Sequence, residues 1–276
     1  VEFGSPWLGV VPLMLTGAGL AALVAALLRQ RDVGGRMLGA AALVLLVGAW
    51  MPGLEDRYLT MLELEGPMQV RTMRQKPGVE ILHRRWGRYC HFSVASLSPS
   101  AIAGFYNGGL HWFHRTERTR KQIERDTLEA VPFAQLRPGA KVLIIGSGGA
   151  EQVRTALMFE PARVVAVEII PEVLQVLGGP IAPRIGNVYG DPRVEPVAMD
   201  GRRYLEGTDE SFDLIFLPVV DTSITMMRSV FNPAETLYTV EAFDTMRRHL
   251  TDDGVLVIQR PAFFDQHGVL LHQYFR

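Results

Sequence analysis

The residues best suited to chemistry are the glycines of a short turn and an acidic residue that ends the following strand. Gly146, Gly148 and Gly149 come directly after an apolar run at 142–145, and Glu168 ends the next apolar run. Glycine lets the backbone approach a ligand closely and adopt positive φ angles. A helix starting at this turn offers N–H groups to polar atoms, and Glu168 can accept hydrogen bonds from a ribose diol. The pattern favours nucleotide binding by a strand–turn–helix–strand unit.

The turn alone does not decide the ligand. Glu151 stands where the dinucleotide pattern G-x-G-x-x-G has its third glycine. Because no hydride-transfer constellation is visible either, an NAD-dependent oxidoreductase is a poor interpretation. A turn of this kind can also be kept for packing, with an empty site.

Further acidic residues follow later predicted strands. Asp200 precedes Gly201 after one strand, and Asp221 follows the next. Parallel strands place their carboxyl ends at one edge of a sheet, so we expect Asp200 and Asp221 to share that edge with Glu168. Asp200 with Gly201 can equally form an ordinary turn, and Asp221 can cap the segment after it.

The elements that would position these residues alternate between strands and helices. After Glu168 we predict strands at 194–198 and 212–220, a helix at 241–250, a strand at 255–259 and a final helix at 267–276. This order implies an α/β, Rossmann-like domain with a doubly wound, mainly parallel sheet. We assign it residues 119–276 and expect it to be truncated at the carboxyl terminus.

A small antiparallel β subdomain is predicted at 57–118. The Asn-Gly-Gly sequence at 107–109 is typical of a tight turn between two strands, and a charged helix at 119–131 follows. His111 and His114 are three positions apart, so on a strand they point to opposite faces and do not share a metal ion. We predict no metal site.

Residues 1–56 favour a transmembrane helical hairpin. Apolar runs at 7–28 and 37–54 approach the roughly 20 residues that span a bilayer, and arginines lie between them. A buried hairpin of a soluble protein is the alternative. The arginines place the connection in the cytoplasm by the positive-inside rule, but the side of the soluble domain stays undecided.

Composition excludes some classes of partner and site. The net charge is -1 and the pI is about 6.7, so nothing indicates a nucleic-acid partner. The single cysteine, Cys90, excludes an intramolecular disulfide and a cysteine-cluster metal site.

The order of motifs resembles the spermidine synthase family, the aminopropyltransferases. The resemblance covers roughly residues 80–260 and is carried by FYNGGLHWF, VLIIGSGG, VVAVEIIPEVL, DPRVEPVAMDGRRYL, SFDLIFLPVVD, LYTVEAF and HLTDDGVLVIQ. With the apolar region before it, the chain looks most like membrane-anchored bacterial members. The resemblance implies decarboxylated S-adenosylmethionine, or S-adenosylmethionine, as cosubstrate.

The resemblance also implies roles for individual residues. Gly146 and Gly148 fit the glycine turn that contacts the cosubstrate, and Glu168 fits the acid that binds the ribose. Asp200, with Gly201 beside it, fits the acid on the adenine side. Asp221 fits the second Asp of the family's D-x-x-D loop and is the candidate catalytic residue.

Three departures from the family pattern concern the amine site. Gly149 stands where the family has an Asp that holds the amine of the cosubstrate, and Pro218 stands where the usual base should be. Glu124 and Arg125 replace a Tyr-His pair that lines the amine site. The positions that contact the nucleotide fit the family, whereas those that contact the amine do not.

The sequence therefore supports two hypotheses. One is a membrane-anchored, spermidine synthase-like transferase in the bacterial inner membrane. The other is a non-catalytic structural or regulatory subunit of an integral membrane complex. The expected partners are the lipid bilayer and either other membrane protein subunits or further copies of the chain.

Overall fold

The computed structural model describes residues 10–29, 32–49, 51, 76–87, 89–106, 109–125, 127–220, 236–264 and 269–273. The chain divides into two compact units, residues 1–71 and residues 72–276. The predicted nucleotide site lies in the second unit.

The first unit is a hairpin of two helices, α1 (Val10–Leu28) and α2 (Val33–Ala49). The helices pack closely, because Ala42 is fully buried and a Cβ added to Gly19 would lie 2.8 Å from Cγ of Leu46. Both helices also carry exposed apolar side chains, among them Met14, Leu20, Val24, Leu27, Met37, Leu43, Val44 and Val47. The predicted helical hairpin is therefore present.

The prediction that this hairpin spans a membrane is not met. Among the residues that the structure describes, no helix combines the length and the apolar character needed to cross a bilayer. A helical hairpin lies where the spans at 7–28 and 37–54 were expected, and parts of both ranges fall outside the described residues.

The second unit begins with a four-stranded antiparallel sheet in the order β1-β2-β3-β4. Its strands are β1 (Glu80–Trp86), β2 (His91–Ser98), β3 (Ala101–Tyr106) and β4 (Gly109–Arg115). Strands β2 and β3 are largely buried, because they lie in the middle of this sheet. The prediction of a small antiparallel sheet is confirmed, whereas most of its Asn-Gly-Gly turn lies outside the described residues.

A six-stranded sheet follows, in the order β10-β9-β8-β5-β6-β7. Its strands are β5 (Lys141–Ile145), β6 (Arg163–Glu168), β7 (Val194–Ala198), β8 (Phe212–Pro218), β9 (Leu250–Phe264) and β10 (Val269–Gln273). The helices are α3 (Arg120–Arg125), α4 (Thr127–Ala130), α5 (Glu151–Leu157), α6 (Pro171–Leu177), α7 (Gly201–Gly207) and α8 (Val240–Arg248), with 3₁₀ turns at Ala182–Ile185 and Val188–Gly190.

The large sheet is covered on both faces. In β5, Val142 and Ile144 belong to one hydrophobic core and Leu143 and Ile145 to another. Successive side chains of a strand point to opposite faces, so each face has its own core. Strands β5 to β9 pair in parallel, and β10 pairs antiparallel to β9. The prediction of a doubly wound, mainly parallel sheet is confirmed.

Two elements differ from their predictions. The helix expected at 267–276 is strand β10, because a short apolar run does not distinguish a strand from a buried helix by periodicity. The charged helix expected at 119–131 consists of the two short helices α3 and α4.

Candidate functional site

The glycine turn joins β5 to α5 at the carboxyl edge of the large sheet. Gly146 and Gly148 have φ angles of 83° and 46°, in the left-handed region that favours glycine. The N–H groups of Gly146 and Ser147 both donate to the carbonyl of Val167, at 2.8 and 3.0 Å. A Cβ on Gly146 would lie 2.8 Å from Cγ2 of Val220, so glycine is required here by conformation and by space.

Glu168 supports this turn from the end of β6. Its Oε2 accepts the N–H of Gly148 at 2.9 Å, and its Oε1 accepts the N–H of Ile170 at 3.0 Å. The side chain is buried, and burial raises the pKa of Glu168, while these backbone hydrogen bonds act in the opposite direction. Each carboxylate oxygen has a further lone pair, so the predicted contact with a ribose diol stays a prediction.

Two buried tyrosines complete the surroundings of the turn. The hydroxyl of Tyr189 donates to the carbonyl of Gly148 at 3.2 Å and lies 3.0 Å from Oγ of Ser147. Burial, and the nearby Glu168, raise the pKa of Tyr106 and of Tyr189. Both phenols are therefore neutral, and Tyr106 accepts a hydrogen bond from Trp112 while Tyr189 donates one to Gly148.

Trp112 of β4 contacts the turn from the small sheet. A Cβ added to Gly149 would lie 2.3 Å from Cε3 of Trp112, and one added to Gly104 would lie 1.9 Å from Cε2. Gly104 is the cross-strand partner of Trp112 on β3. The indole ring therefore packs against both glycines, and its Nε1 donates to the hydroxyl of Tyr106 at 3.1 Å.

His114, two residues further along β4, contacts the same turn. Its Nδ1 lies 2.7 Å from the carbonyl oxygen of Gly149, so Nδ1 carries the proton and donates. The side chain is fully buried, and burial lowers the pKa of His114 to about 4. Oε2 of Glu151 lies 3.7 Å from Nδ1 of His114 and accepts the N–H of Arg115 at 2.8 Å. Burial raises the pKa of Glu151.

Asp200 and Gly201 lie at the carboxyl end of β7, where α7 begins. Oδ1 of Asp200 accepts the N–H of Arg203 at 3.0 Å, so this residue caps the helix. Gly201 is buried, and a Cβ there would lie 2.2 Å from Cγ2 of Ile145. Gly201 thus allows α7 to approach the end of β5, and its predicted contact with a cosubstrate remains a prediction.

A cavity of about 390 Å³ opens beside this edge. It is lined by Tyr89, Ile169, Asp200, Arg202, Arg203, Glu206 and Thr236. A larger cavity, about 870 Å³, lies at the opposite edge of the sheet, where Ala140 and Asp213 mark the starts of β5 and β8. Parallel sheets bind ligands at the carboxyl ends of their strands, so the smaller cavity is the one relevant to this site.

The predicted catalytic residue, Asp221, lies outside the described residues. Strand β8 ends at the buried Pro218, and Val219 follows with a φ of 45°, which is rare for a β-branched residue. Among the residues that replace the family's Tyr-His pair, Glu124 pairs with Arg120 on the surface of α3.

The structure thus joins Gly148 to Glu168 by a hydrogen bond, places Gly146 in the same turn, and places Asp200 at the adjacent cavity. Sequence reasoning missed Trp112 and His114 as partners of the turn. It considered His114 only as a metal ligand with His111, which instead stacks on Tyr106 with ring centroids 4.2 Å apart. The alternation of β4 could have shown that Trp112 and His114 share one face.

Comparisons with known proteins match this chain to one family model and to curated relatives. The family model described as "Spermine/spermidine synthase domain" matches residues 121–273. The polyamine aminopropyltransferase of Korarchaeum cryptofilum is 30% identical over 135 residues, covering 49% of this chain and 40% of that protein. That of Serratia proteamaculans is 26% identical over 210 residues, covering 71% and 70%.

Solved structures show the same fold. Spermidine synthase from Thermotoga maritima aligns with a TM-score of 0.51 at 18% identity, covering 67% of this chain and 57% of that chain. A spermidine synthase in complex with the transition state analogue AdoDATO aligns with a TM-score of 0.53 at 18% identity, covering 67% and 59%. The chain spans about half the length of most of the curated relatives that it matches. Since the family model covers more than half of the chain, the chain belongs to the spermine/spermidine synthase domain family.

Proposed function

We propose that this chain is a spermidine synthase-like transferase whose carboxyl-edge site binds decarboxylated S-adenosylmethionine or S-adenosylmethionine. The observation that carries the proposal is the contact between Glu168 and the N–H of Gly148, at 2.9 Å. It fixes the acid of β6 against the glycine turn, beside a cavity that Asp200 lines. This is the arrangement that a nucleoside requires at the carboxyl ends of parallel strands.

In an aminopropyl transfer, the nitrogen of an amine attacks the carbon next to the sulfonium. A carbon–nitrogen bond forms, the carbon–sulfur bond breaks, and the sulfur keeps the electron pair, leaving methylthioadenosine. The amine must lose a proton, and a positioned carboxylate contributes about 10² to 10⁴-fold to such a step. Asp221 is our candidate for that carboxylate, on the basis of its place in the sequence.

The second candidate function is a non-catalytic subunit with the same fold. It is favoured by Trp112, whose ring fills the space next to Gly149 where the family pattern has a carboxylate that holds an amine. Pro218 carries no proton acceptor at the position of the usual base. Under this hypothesis the nucleotide site is retained or empty, and no transfer follows.

We further propose that the helical hairpin attaches the protein to the inner membrane of a bacterium. Leu20, Val24 and Leu27 of α1 and Val44 and Val47 of α2 expose more than half of their surface. Apolar surface of this kind favours contact with lipid or with another apolar protein surface. Other membrane subunits, or a second copy of the chain, are the partners that fit the same surface.

The test is calorimetric binding of decarboxylated S-adenosylmethionine, S-adenosylmethionine and methylthioadenosine to the whole chain. We expect binding that Glu168→Ala and Glu168→Gln weaken at least tenfold, because either change removes a charged acceptor at the ribose. Glu195→Ala, on the exposed edge of β7, is the matched control and should bind like the wild type. Melting curves of each variant separate lost binding from lost folding.

Mass spectrometry with short diamines then distinguishes the two functions. Release of methylthioadenosine together with an aminopropylated amine supports the transferase. Binding without any product supports the non-catalytic subunit. No heat with any of the three nucleosides would refute the proposed nucleotide site.

A further inference from the structure

The cavity at the carboxyl edge is walled partly by the small sheet. Gly87 begins the tight turn between β1 and β2, and its N–H donates to the carbonyl of Cys90 at 2.9 Å. A Cβ on Gly87 would lie 2.8 Å from the carboxyl carbon of Glu172, in the first turn of α6. The β1–β2 turn therefore packs over the carboxyl end of β6 and brings Tyr89 to the cavity.

Tyr89 lies in the turn between β1 and β2 and, unlike Trp86 and Phe92 of these strands, is not packed against another ring among the described residues. Trp86 pairs with His91, and Phe92 pairs with Tyr106, in ring contacts with centroids 5.5 and 5.8 Å apart. Tyr89 is 43% exposed, and within the described part of the chain it has neither a ring contact nor a hydrogen bond. An aromatic ring that lines a cavity and is not packed within the fold is available to a planar ligand.

The remaining lining residues indicate which part of a nucleotide would lie there. Ile169 directly follows Glu168, so a nucleoside whose ribose reaches Glu168 extends its base towards Ile169 and Asp200. Oδ1 of Asp200 is taken by the cap of α7, and Oδ2 has no hydrogen bond among the described residues. The cavity thus combines the apolar Ile169, the ring of Tyr89 and Oδ2 of Asp200 with three further charged residues, Arg202, Arg203 and Glu206. Nε of Arg202 donates to Oε1 of Glu206 at 2.9 Å, so these two side chains pair with each other. A purine with an exocyclic amine fits the aromatic ring and the acceptor of Asp200.

We propose that Tyr89 stacks on the base of the bound nucleotide and is a specificity-determining residue of the site. This inference rests on the proposed nucleotide function. It assigns the β1–β2 turn a direct part in binding, so the small sheet contributes to ligand recognition as well as to packing of the glycine turn. Stacking of a base on an aromatic side chain contributes about 1–3 kcal/mol, which corresponds to roughly 5- to 150-fold in affinity.

The experiment compares ligands with and without a base. Calorimetry with methylthioadenosine is repeated on Tyr89→Ala, Tyr89→Leu and Tyr89→Phe, and on Phe113→Ala as the matched control. Phe113 belongs to the same sheet and is 41% exposed, but it does not line the cavity. We expect about 5- to 150-fold weaker binding for Tyr89→Ala and Tyr89→Leu, and changes within about threefold for Tyr89→Phe and Phe113→Ala.

A second ligand excludes a merely structural effect. 5-Methylthioribose lacks the base, so its affinity, measured by competition, should be the same for the wild type and Tyr89→Ala. In Tyr89→Trp, methylthioadenosine should quench the added indole fluorescence, which Phe113→Trp should not show. Unchanged methylthioadenosine binding by both Tyr89→Ala and Tyr89→Leu would overturn the inference, as would an equal loss for methylthioribose. A wild-type chain that binds no nucleoside refutes the proposed function instead.

Discussion

Replacing Gly149 with alanine tests whether the glycine turn and the small sheet are packed as one unit. The added Cβ would lie 2.3 Å from Cε3 and 2.7 Å from Cδ2 of Trp112, both far inside van der Waals contact. The indole cannot move away easily, because Gly104 lies against the same ring. Gly149 does not have a positive φ, so the backbone itself tolerates alanine. The predicted effect is therefore steric.

The expected loss is that of an overpacked core, about 1–3 kcal/mol in the free energy of unfolding. For a unit of this size, each kcal/mol lowers Tm by about 2–4 °C, so we expect a fall of about 2–12 °C. Urea unfolding and thermal melting, followed by circular dichroism, measure both quantities. Gly207→Ala is the matched control, because a Cβ there has no atom within 4 Å. It should leave stability unchanged or raise it by up to about 1 kcal/mol.

A double mutant identifies the contact responsible. Trp112→Leu alone should destabilise the protein, because a large, partly buried ring that packs against the core is truncated. In that background, Gly149→Ala should cost no more than about 0.5 kcal/mol, giving a coupling of about 0.5–3 kcal/mol. If Gly149→Ala melts like the wild type, or if the two changes are additive, the packing argument is wrong.

Two further predictions concern pH and the hairpin. Burial lowers the pKa of His114 to about 4, so the unfolded chain binds a proton near pH 6.5 while the folded chain does not. The neutral, buried His114 therefore makes its full contribution to the free energy of unfolding above pH 6.5. That free energy falls by up to about 3 kcal/mol as the pH decreases from 6.5 to 4. His114→Asn, which keeps the donor to Gly149, should flatten this slope in urea titrations; an unchanged slope would contradict the assignment. For the hairpin, Leu20→Gln with Val24→Gln should reduce the fraction that floats with vesicles of bacterial lipid. Val240→Gln is the control, because Val240 is exposed on α8 and lies outside the hairpin. It should leave flotation unchanged.

The parallel sheet could be predicted because its strands are local features of the sequence. Strands β5 and β6 are continuous apolar runs, and Gly146 and Glu168 mark their ends. The helix predicted at 241–250 is α8, and the structure shows that its N-cap, Thr239, accepts the N–H of Ala242. Elements that depend on tertiary pairing were less predictable. Strand β10 forms on the edge of β9, and the apolar run alone did not reveal it.

The candidate site was predictable in part for the same reason. Glu168 and Gly148 lie in one strand–turn–helix–strand unit, so their proximity follows from the fold. Trp112 and His114 reach the turn from another sheet, and nothing in the local pattern indicates that contact. The helical hairpin followed from composition, but composition did not fix its lengths, and the described helices do not meet the length and apolarity of a membrane span.

The contact between Trp112 and Gly149 changes how a departure from the family pattern is interpreted. From the sequence, Gly149 is a missing carboxylate, which implies lost affinity for an amine. In the structure, the ring of Trp112 occupies the space into which any side chain at this position would extend. An aspartate at position 149 would therefore require a smaller residue at position 112. The two positions are coupled by packing, so Gly149→Asp alone should destabilise the turn, and amine binding can be restored only in a background such as Trp112→Leu.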